Sequence, residues 1–253
     1  MLWSSEILEV NPHCKVTVEH VGQGKHKVLL ADNFYKHPDR LAEMALNLYY
    51  SDALAMTGNY PGARALVTLE TGPLIQTLGK LWGEPLEPYH SNYHPVIFSA
   101  IINKEYRLNV WQRQPHIDQG VTAMMYLNPP EFCAGGTGLF RHRPTGLERL
   151  PITPTPALLR LAEQYGTSPD AMKTADDYAQ FQNTLIFNPL FAVKDNTYIN
   201  DGNDFWELLY LIEMRSNRLV IFDGRMPHSQ HIKPDQFKEH YRINQVLYFK
   251  GHD

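Results

Sequence analysis

From Pro95 onward the chain is a succession of short apolar runs, each ended by turn-forming residues, and this punctuation constrains the fold more than any other feature. Val96 to Ile102, Leu108 to Gln112, Thr122 to Leu127, Gly138 to Phe140, Arg218 to Phe222 and Ile243 to Phe249 have strand length and strand composition. Asn128-Pro129-Pro130, Gly135-Gly136 and Asp223-Gly224 lie between them as turns. Between Arg143 and Asn217 the pattern breaks, with a proline-rich start and helical spacing over Pro156 to Tyr165 and Asp204 to Met214. Phe205, Trp206 and Leu209 then read as the buried stripe of a lid helix. Strands with such an insertion before the last pair predict a jelly-roll core, a double-stranded β-helix of cupin type, with a helical insertion.

The amino-terminal part is expected to support that core. Lys15 to Glu19 and Lys27 to Leu30 predict a hairpin turning near Gly22 and Gly24. Leu41, Met44, Ala45 and Leu48 recur at helical spacing behind Pro38, so a helix is expected over Pro38 to Leu48. A second should begin near Pro73, with Leu74, Leu78, Leu81 and Trp82 as its buried stripe. The whole is expected to be mainly β with flanking helices. It reads as one domain of 253 residues: support over 1–94, core over 95–142 and 217–253, lid-like insertion over 143–216.

Composition excludes several function classes. The net charge is −4 and basic residues are scattered, so no nucleic-acid stripe is present. Two cysteines, Cys14 and Cys133, have no C-x-x-C spacing, which argues against a disulfide scaffold or a cysteine-built zinc site. The amino-terminal residues carry neither a basic flank nor a long apolar run. A cytoplasmic protein without a membrane segment is the expectation.

Chemistry concentrates in two histidine segments. If Pro115-His116-Ile117-Asp118 is extended, His116 and Asp118 point to one face and Ile117 to the other. An imidazole beside a carboxylate supplies two of the three ligands of a facial triad, which suits iron(II) because opposite coordination positions stay free. Alone, H-x-D is weak among twelve histidines, and a surface turn would produce it equally well. A third ligand is expected from a later strand and turn, and Met226-Pro227-His228 follows Arg218 to Phe222 and Asp223-Gly224. His231 is its rival. In the last strand Arg242, Asn244, Val246 and Tyr248 share one face, and Ile243, Gln245, Leu247 and Phe249 the other. An inward Arg242 needs an anion, which a co-substrate carboxylate could supply; a surface salt bridge to Asp235 or Glu239 is the alternative.

These segments together resemble the iron(II)/2-oxoglutarate dioxygenases, in their prolyl-4-hydroxylase-like branch. The similar stretches are Gln114 to Asp118, Thr122 to Asn128, Gly135 to Phe140 and Asn217 to Phe249, in the family's order and over about half the chain. The resemblance implies that His116, Asp118 and His228 bind iron, and that Arg242, assisted by Tyr126, binds the distal carboxylate of 2-oxoglutarate. Asn244 stands where many relatives carry serine or threonine, and both His228 to Arg242 and Asp118 to His228 are longer than in compact relatives. The implied reaction consumes O2, decarboxylates 2-oxoglutarate to succinate and hydroxylates an unactivated C–H of an amino acid, peptide side chain or small metabolite. Retention of Asp118, which related halogenases replace with a small residue, favours hydroxylation over chlorination. Homodimers are a habit of the family.

Two other classes compete. A zinc-dependent hydrolase or lyase could use the same three ligands, but it has no use for a carboxylate clamp at Arg242 and Tyr126. A non-catalytic jelly-roll binding module would keep the fold without turnover. Of the lesser candidates, Met124 shares a face with Tyr126, whereas Met125 reads as core. Gln112 and Gln114 lead into the metal motif and could reach a substrate. His90 and His94 read as ordinary strand or loop residues, and the insertion is expected to roof the site.

Overall fold

Alternation along the strands sorts their side chains into two separate cores. Leu29 and Ala31 pack into one and Val28 and Leu30 into the other. Ala123 and Met125 are likewise divided from Met124 and Tyr126, and Leu219 and Ile221 from Val220 and Phe222. A sheet with both faces apolar must be covered on both sides. The computed structural model describes residues 5–51, 61–88, 95–102, 112–164 and 197–250, with isolated positions between 165 and 196.

The strands are β1 (Lys15–Val21), β2 (His26–Asp32), β3 (Ala63–Thr68), β4 (Pro95–Ile101), β5 (Val121–Tyr126), β6 (Gly136–His142), β7 (Trp206–Glu213), β8 (Arg218–Asp223), β9 (His228–His231) and β10 (Arg242–Phe249). They form a seven-stranded sheet in the order β1-β2-β8-β5-β10-β4-β3 and a three-stranded sheet in the order β7-β6-β9. All the pairings are antiparallel. The protein is therefore mainly β.

One face of the large sheet is closed by helices α1 (Pro38–Leu46) and α2 (Gly72–Trp82). Leu41, Met44 and Ala45 of α1 and Leu74, Leu78 and Trp82 of α2 are buried, the leucines worth about 1.5–3 kcal/mol each. Gly83 ends α2 in the left-handed region, φ 94°, and its N–H donates to the Gly79 carbonyl at 2.8 Å. The opposite face packs on the small sheet, with Leu139, Ile212 and Ile232 joining Val28, Met124, Tyr126 and Val246 in one core. The hairpin and both amino-terminal helices lie where expected. The amino-terminal stretch does more than support the sheet, because β1, β2 and β3 are three of its seven strands.

One expected element changes type. Asp204 to Met214 does not contain a helix: Trp206–Glu213 is β7, paired with β6 from Gly136↔Glu213 to His142↔Trp206. Leu208, Leu209, Leu211 and Ile212 fit helical spacing equally well. The β6 edge decides, since pairing satisfies backbone groups that context, more than propensity, assigns to strands. Trp206 remains fully buried, with Phe140, Leu150 and Ile199 on the outer side of the small sheet. Within the insertion α3 (Pro156–Gln164) forms as expected and buries Leu158, Leu161 and Ala162. Leu108 to Trp111, His90 and His94 lie outside the described residues. Among the described residues no helix is long and apolar enough to cross a membrane.

Candidate metal centre

Two backbone bridges bring the histidine segments together. The His116 N–H donates to the His228 carbonyl at 2.9 Å, and the His228 N–H returns to the His116 carbonyl at 2.8 Å. His116 and His228 thus face each other across an isolated antiparallel bridge, their ring centroids 4.4 Å apart. Two residues on, the Asp118 N–H donates to the Gly224 carbonyl at 2.8 Å. This extended run projects His116 and Asp118 to one side. Ile117 projects to the other and packs against Phe140, Leu150, Ile199 and Trp206.

His116, Asp118 and His228 each present a ligand atom within 4.8 Å of the other two, so one ion could touch all three. His228 Nδ1 lies 2.8 Å from the Met226 carbonyl. Only a protonated Nδ1 can donate there, which makes Nε2 the ring atom available to a metal; in this ion-free arrangement Nε2 lies 3.2 Å from Asp118 Oδ2 and donates to it. Thr122 Oγ1 donates to the same carboxylate oxygen at 3.3 Å. Burial, reinforced by the neighbouring His228, pushes the His116 pKa down to about 3, so its ring is neutral and can donate a lone pair. Its Nδ1 is buried with no hydrogen-bond partner among the described residues. Burial raises Asp118, but the His228 hydrogen bond and the electrostatic influence of the neighbouring His228, His116 and Arg64 outweigh it, and its carboxyl is held below the ordinary range.

Strand geometry separates His228 from its rival His231. Three residues apart on β9, they point to opposite faces. His228 joins the cluster, whereas His231 Nε2 lies 3.4 Å from Asp201 Oδ1.

A small cavity of about 50 Å³ opens beside this group. Arg242, Asn244 and Val246 of β10 line it, with Met124 of β5 and Thr137 of β6. Arg242 is 2% exposed. Its Nη2 donates to the Gly136 carbonyl at 3.1 Å and weakly to Thr137 Oγ1 at 3.5 Å. With the Asn244 amide turned to satisfy both ends, its oxygen accepts from Arg242 Nη1 at 2.7 Å and its nitrogen donates to the Ile243 carbonyl at 3.0 Å. Arg242 Nε is buried without a partner, and among the described residues no carboxylate pairs with this guanidinium. The surface salt bridge to Asp235 or Glu239 does not form. Tyr126 lies beneath Arg242, the guanidinium carbon 5.6 Å from the ring centroid, and its hydroxyl is 2.8 Å from Thr137 Oγ1. Burial raises the phenol's pKa, so it stays protonated as a donor.

Other sequence candidates fall away from the cavity. Met125 belongs to the helix-side core, and Gln112 and Gln114 are buried outside the described cavity lining. No residue of the 143–217 insertion appears among the described lining residues. Sequence reading missed Arg64 and Ser99, which line the cavity from β3 and β4, and Gly224. A Cβ at Gly224 would sit 2.8 Å from Thr122 Oγ1 and 2.9 Å from Asp118 Cβ, so the turn carrying Asp118 closes only over glycine. The alternation of Arg64 with buried Ala65 was the available signal for β3.

Comparison with curated proteins gives no match. A family profile, that of a family of unknown function (DUF6445), matches residues 12–191 and 163–242, which takes in the three-residue cluster and Arg242. The chain belongs to that family.

Proposed function

We propose that the protein is an iron(II)- and 2-oxoglutarate-dependent oxygenase that hydroxylates an unactivated C–H bond of an amino acid, peptide side chain or small metabolite. The observation that carries this reading is Arg242: a guanidinium 2% exposed, without a carboxylate partner among the described residues, lining the same cavity as His116, Asp118 and His228. A buried unpaired charge costs several kcal/mol, and a diacid bridging the metal and the arginine would relieve it. The two packed antiparallel sheets, with the ligand cluster between them, are in keeping with a double-stranded β-helix.

The donor set fits iron(II). Two neutral imidazoles and one carboxylate on a single side leave positions for a chelating keto acid and oxygen. Bound there, iron would supply the oxygen activation that couples decarboxylation of the keto acid to C–H oxidation. The chain's own groups bind and orient. Met226 fixes the His228 tautomer, Thr122 holds one Asp118 oxygen, and Arg242, held by the Gly136 carbonyl and the Asn244 amide oxygen, presents N–H donors to the far carboxylate. Tyr126 stays protonated and fixes Thr137, while Phe222 and Val246 keep the walls apolar.

The test is succinate formation from 2-oxoglutarate under air with the iron-loaded protein, native against Asp118→Ala. Metal-dependent succinate from the native chain only is expected. Hydrolytic activity with zinc, and no succinate with iron, would replace this reading with that of a metallohydrolase.

A further inference from the structure

The two sheets end in four edges, and three of them are met by other chain. Arg64 of β3 bridges to Ser51, His228 of β9 to His116, and Glu207 of β7 to Gly202. The fourth edge is β1. Along Lys15–Val21 only β2 pairs with it among the described residues. That register runs unbroken from Lys15↔Asp32 to Val21↔His26, so no bulge twists the edge away, and no proline interrupts it. Unpaired N–H and C=O groups along a regular strand are a template for a further strand.

The side chains of β1 decide which strand fits. Lys15, Thr17 and Glu19 share one face, and Val16 and Val18 the other, opposite Ala31 and Leu29 of the helix-side core. Although they stand beside that core, Val16 is 41% and Val18 44% exposed. Lys15 is exposed and Glu19 half-buried, and neither forms an ion pair among the described residues. Asp32, opposite Lys15, is held by Arg218. An antiparallel copy related by a twofold axis at Thr17 sets Lys15 of each chain against Glu19 of the other. It also sets Val16 against Val18 twice, and Thr17 meets itself on the axis. One register therefore matches both charges and covers both valines. Moving the axis to Val18 sets Lys15 against Val21 and Glu19 against Thr17, which leaves both charges unmatched.

We propose that β1 is a docking edge for a second copy of this chain, so that two seven-stranded sheets join across the Thr17 axis into one continuous antiparallel sheet. The inference stands on the sheet edge and is independent of the oxygenase reading. The described cavity lining takes no residue from β1 or β2, so the pairing does not touch it. One strand edge is a smaller patch than the roughly 1,600 Å² of a standard interface. Association is therefore concentration-dependent, with a dissociation constant in the micromolar range.

The experiment is sedimentation velocity on the full chain, over concentrations from about 1 µM to about 1 mM. A monomer–dimer equilibrium is expected for the native chain. Lys15→Glu sets carboxylates against each other on both sides of the axis and should weaken the dimer at least about tenfold, as should Glu19→Lys. The double variant Lys15→Glu/Glu19→Lys restores opposite charges in the same register and should recover the native dissociation constant. A folding defect in either single variant would not be repaired in that way. Thr17→Cys should give a disulfide-linked dimer on mild oxidation, with the native chain as the control for Cys14 and Cys133. Directly opposed Cα atoms lie about 4.5–5.5 Å apart, within reach of a disulfide. A native chain that stays monomeric throughout, or a dimer indifferent to both charge reversals, overturns the proposal. So does a double variant no better than the single ones, or a Thr17→Cys chain that does not cross-link.

Discussion

At the scale of single residues the site depends on close approaches that few side chains permit. Thr122 Oγ1 holds Asp118 Oδ2 at 3.3 Å, so Thr122→Val should weaken metal binding by about 10–100-fold with little change in the fold. Calorimetric titration with manganese(II) measures this. Gly224→Ala drives a methyl against Asp118 Cβ and Thr122 Oγ1, and the same titration should show weaker binding. A native affinity in that variant would mean the turn has slack that the packing does not suggest. Arg242→Met removes charge-assisted bonds worth about 1.5–3 kcal/mol, roughly 10–100-fold in the 2-oxoglutarate KM. His116, Asp118 and Arg242 could be nominated from the sequence because period-two alternation assigns faces once an extended run is assumed. Arg64 obeys the same rule on β3. It went unread although Pro61-Gly62 and Gly72-Pro73 bracket the short ARALVT run as turn residues bracket a strand.

At the scale of elements, the sheet edges and turns are fixed by buried ion pairs that respond to pH. Arg218 donates from Nε and Nη2 to Asp32 at 2.5 and 2.8 Å, tying β8 to β2. That hydrogen bonding holds the Asp32 carboxyl below its ordinary pKa. Glu148 accepts from the Gln23 and Gly24 amides at 3.0 and 2.9 Å and from Arg141, which joins the β1–β2 turn to the start of the insertion. Burial raises Glu148, but the Gly24 amide, Arg141 and the Gln23 amide outweigh it and its pKa is also lowered. Both carboxyls are depressed on folding. Their contribution is therefore full above the unfolded-state carboxylate pKa and disappears as pH falls through the lowered folded values. The melting temperature should fall on acidification below the ordinary carboxylate range, and less steeply in Glu148→Gln, whose starting stability is lower. A slope identical in that variant would remove Glu148 from the account. Element type was legible wherever one face meets a core and the other meets a second core or solvent. It failed for β7, whose middle residues are half-covered on both faces and so show no alternation. It also missed β9, because His228, Ser229, Gln230 and His231 are all polar and leave no apolar pattern to see.

At the scale of the molecule, two layers of sheet and one layer of helices place the ligand cluster between the sheets, where His116 and His228 come from segments over a hundred residues apart. His116 and Asp118 are contributed by the loop before β5 and His228 by the start of β9, so a metal ion would tie the two sheets together. Ligand binding to the folded state alone stabilises by about 2.7 kcal/mol at a hundred times Kd. Unfolding followed by differential scanning calorimetry should thus shift upward by roughly 5–10 °C with manganese(II) for a chain of this size. His116→Ala should not respond.

The central claim is that one ion at His116, Asp118 and His228 and the guanidinium of Arg242 hold a single diacid between them. Anaerobic calorimetry of the iron(II)-loaded chain with 2-oxoglutarate tests this most directly. The account predicts one equivalent bound only when metal is present, and binding weakened about 10–100-fold in Arg242→Met. Binding that ignores the metal, or that is indifferent to residue 242, would contradict it.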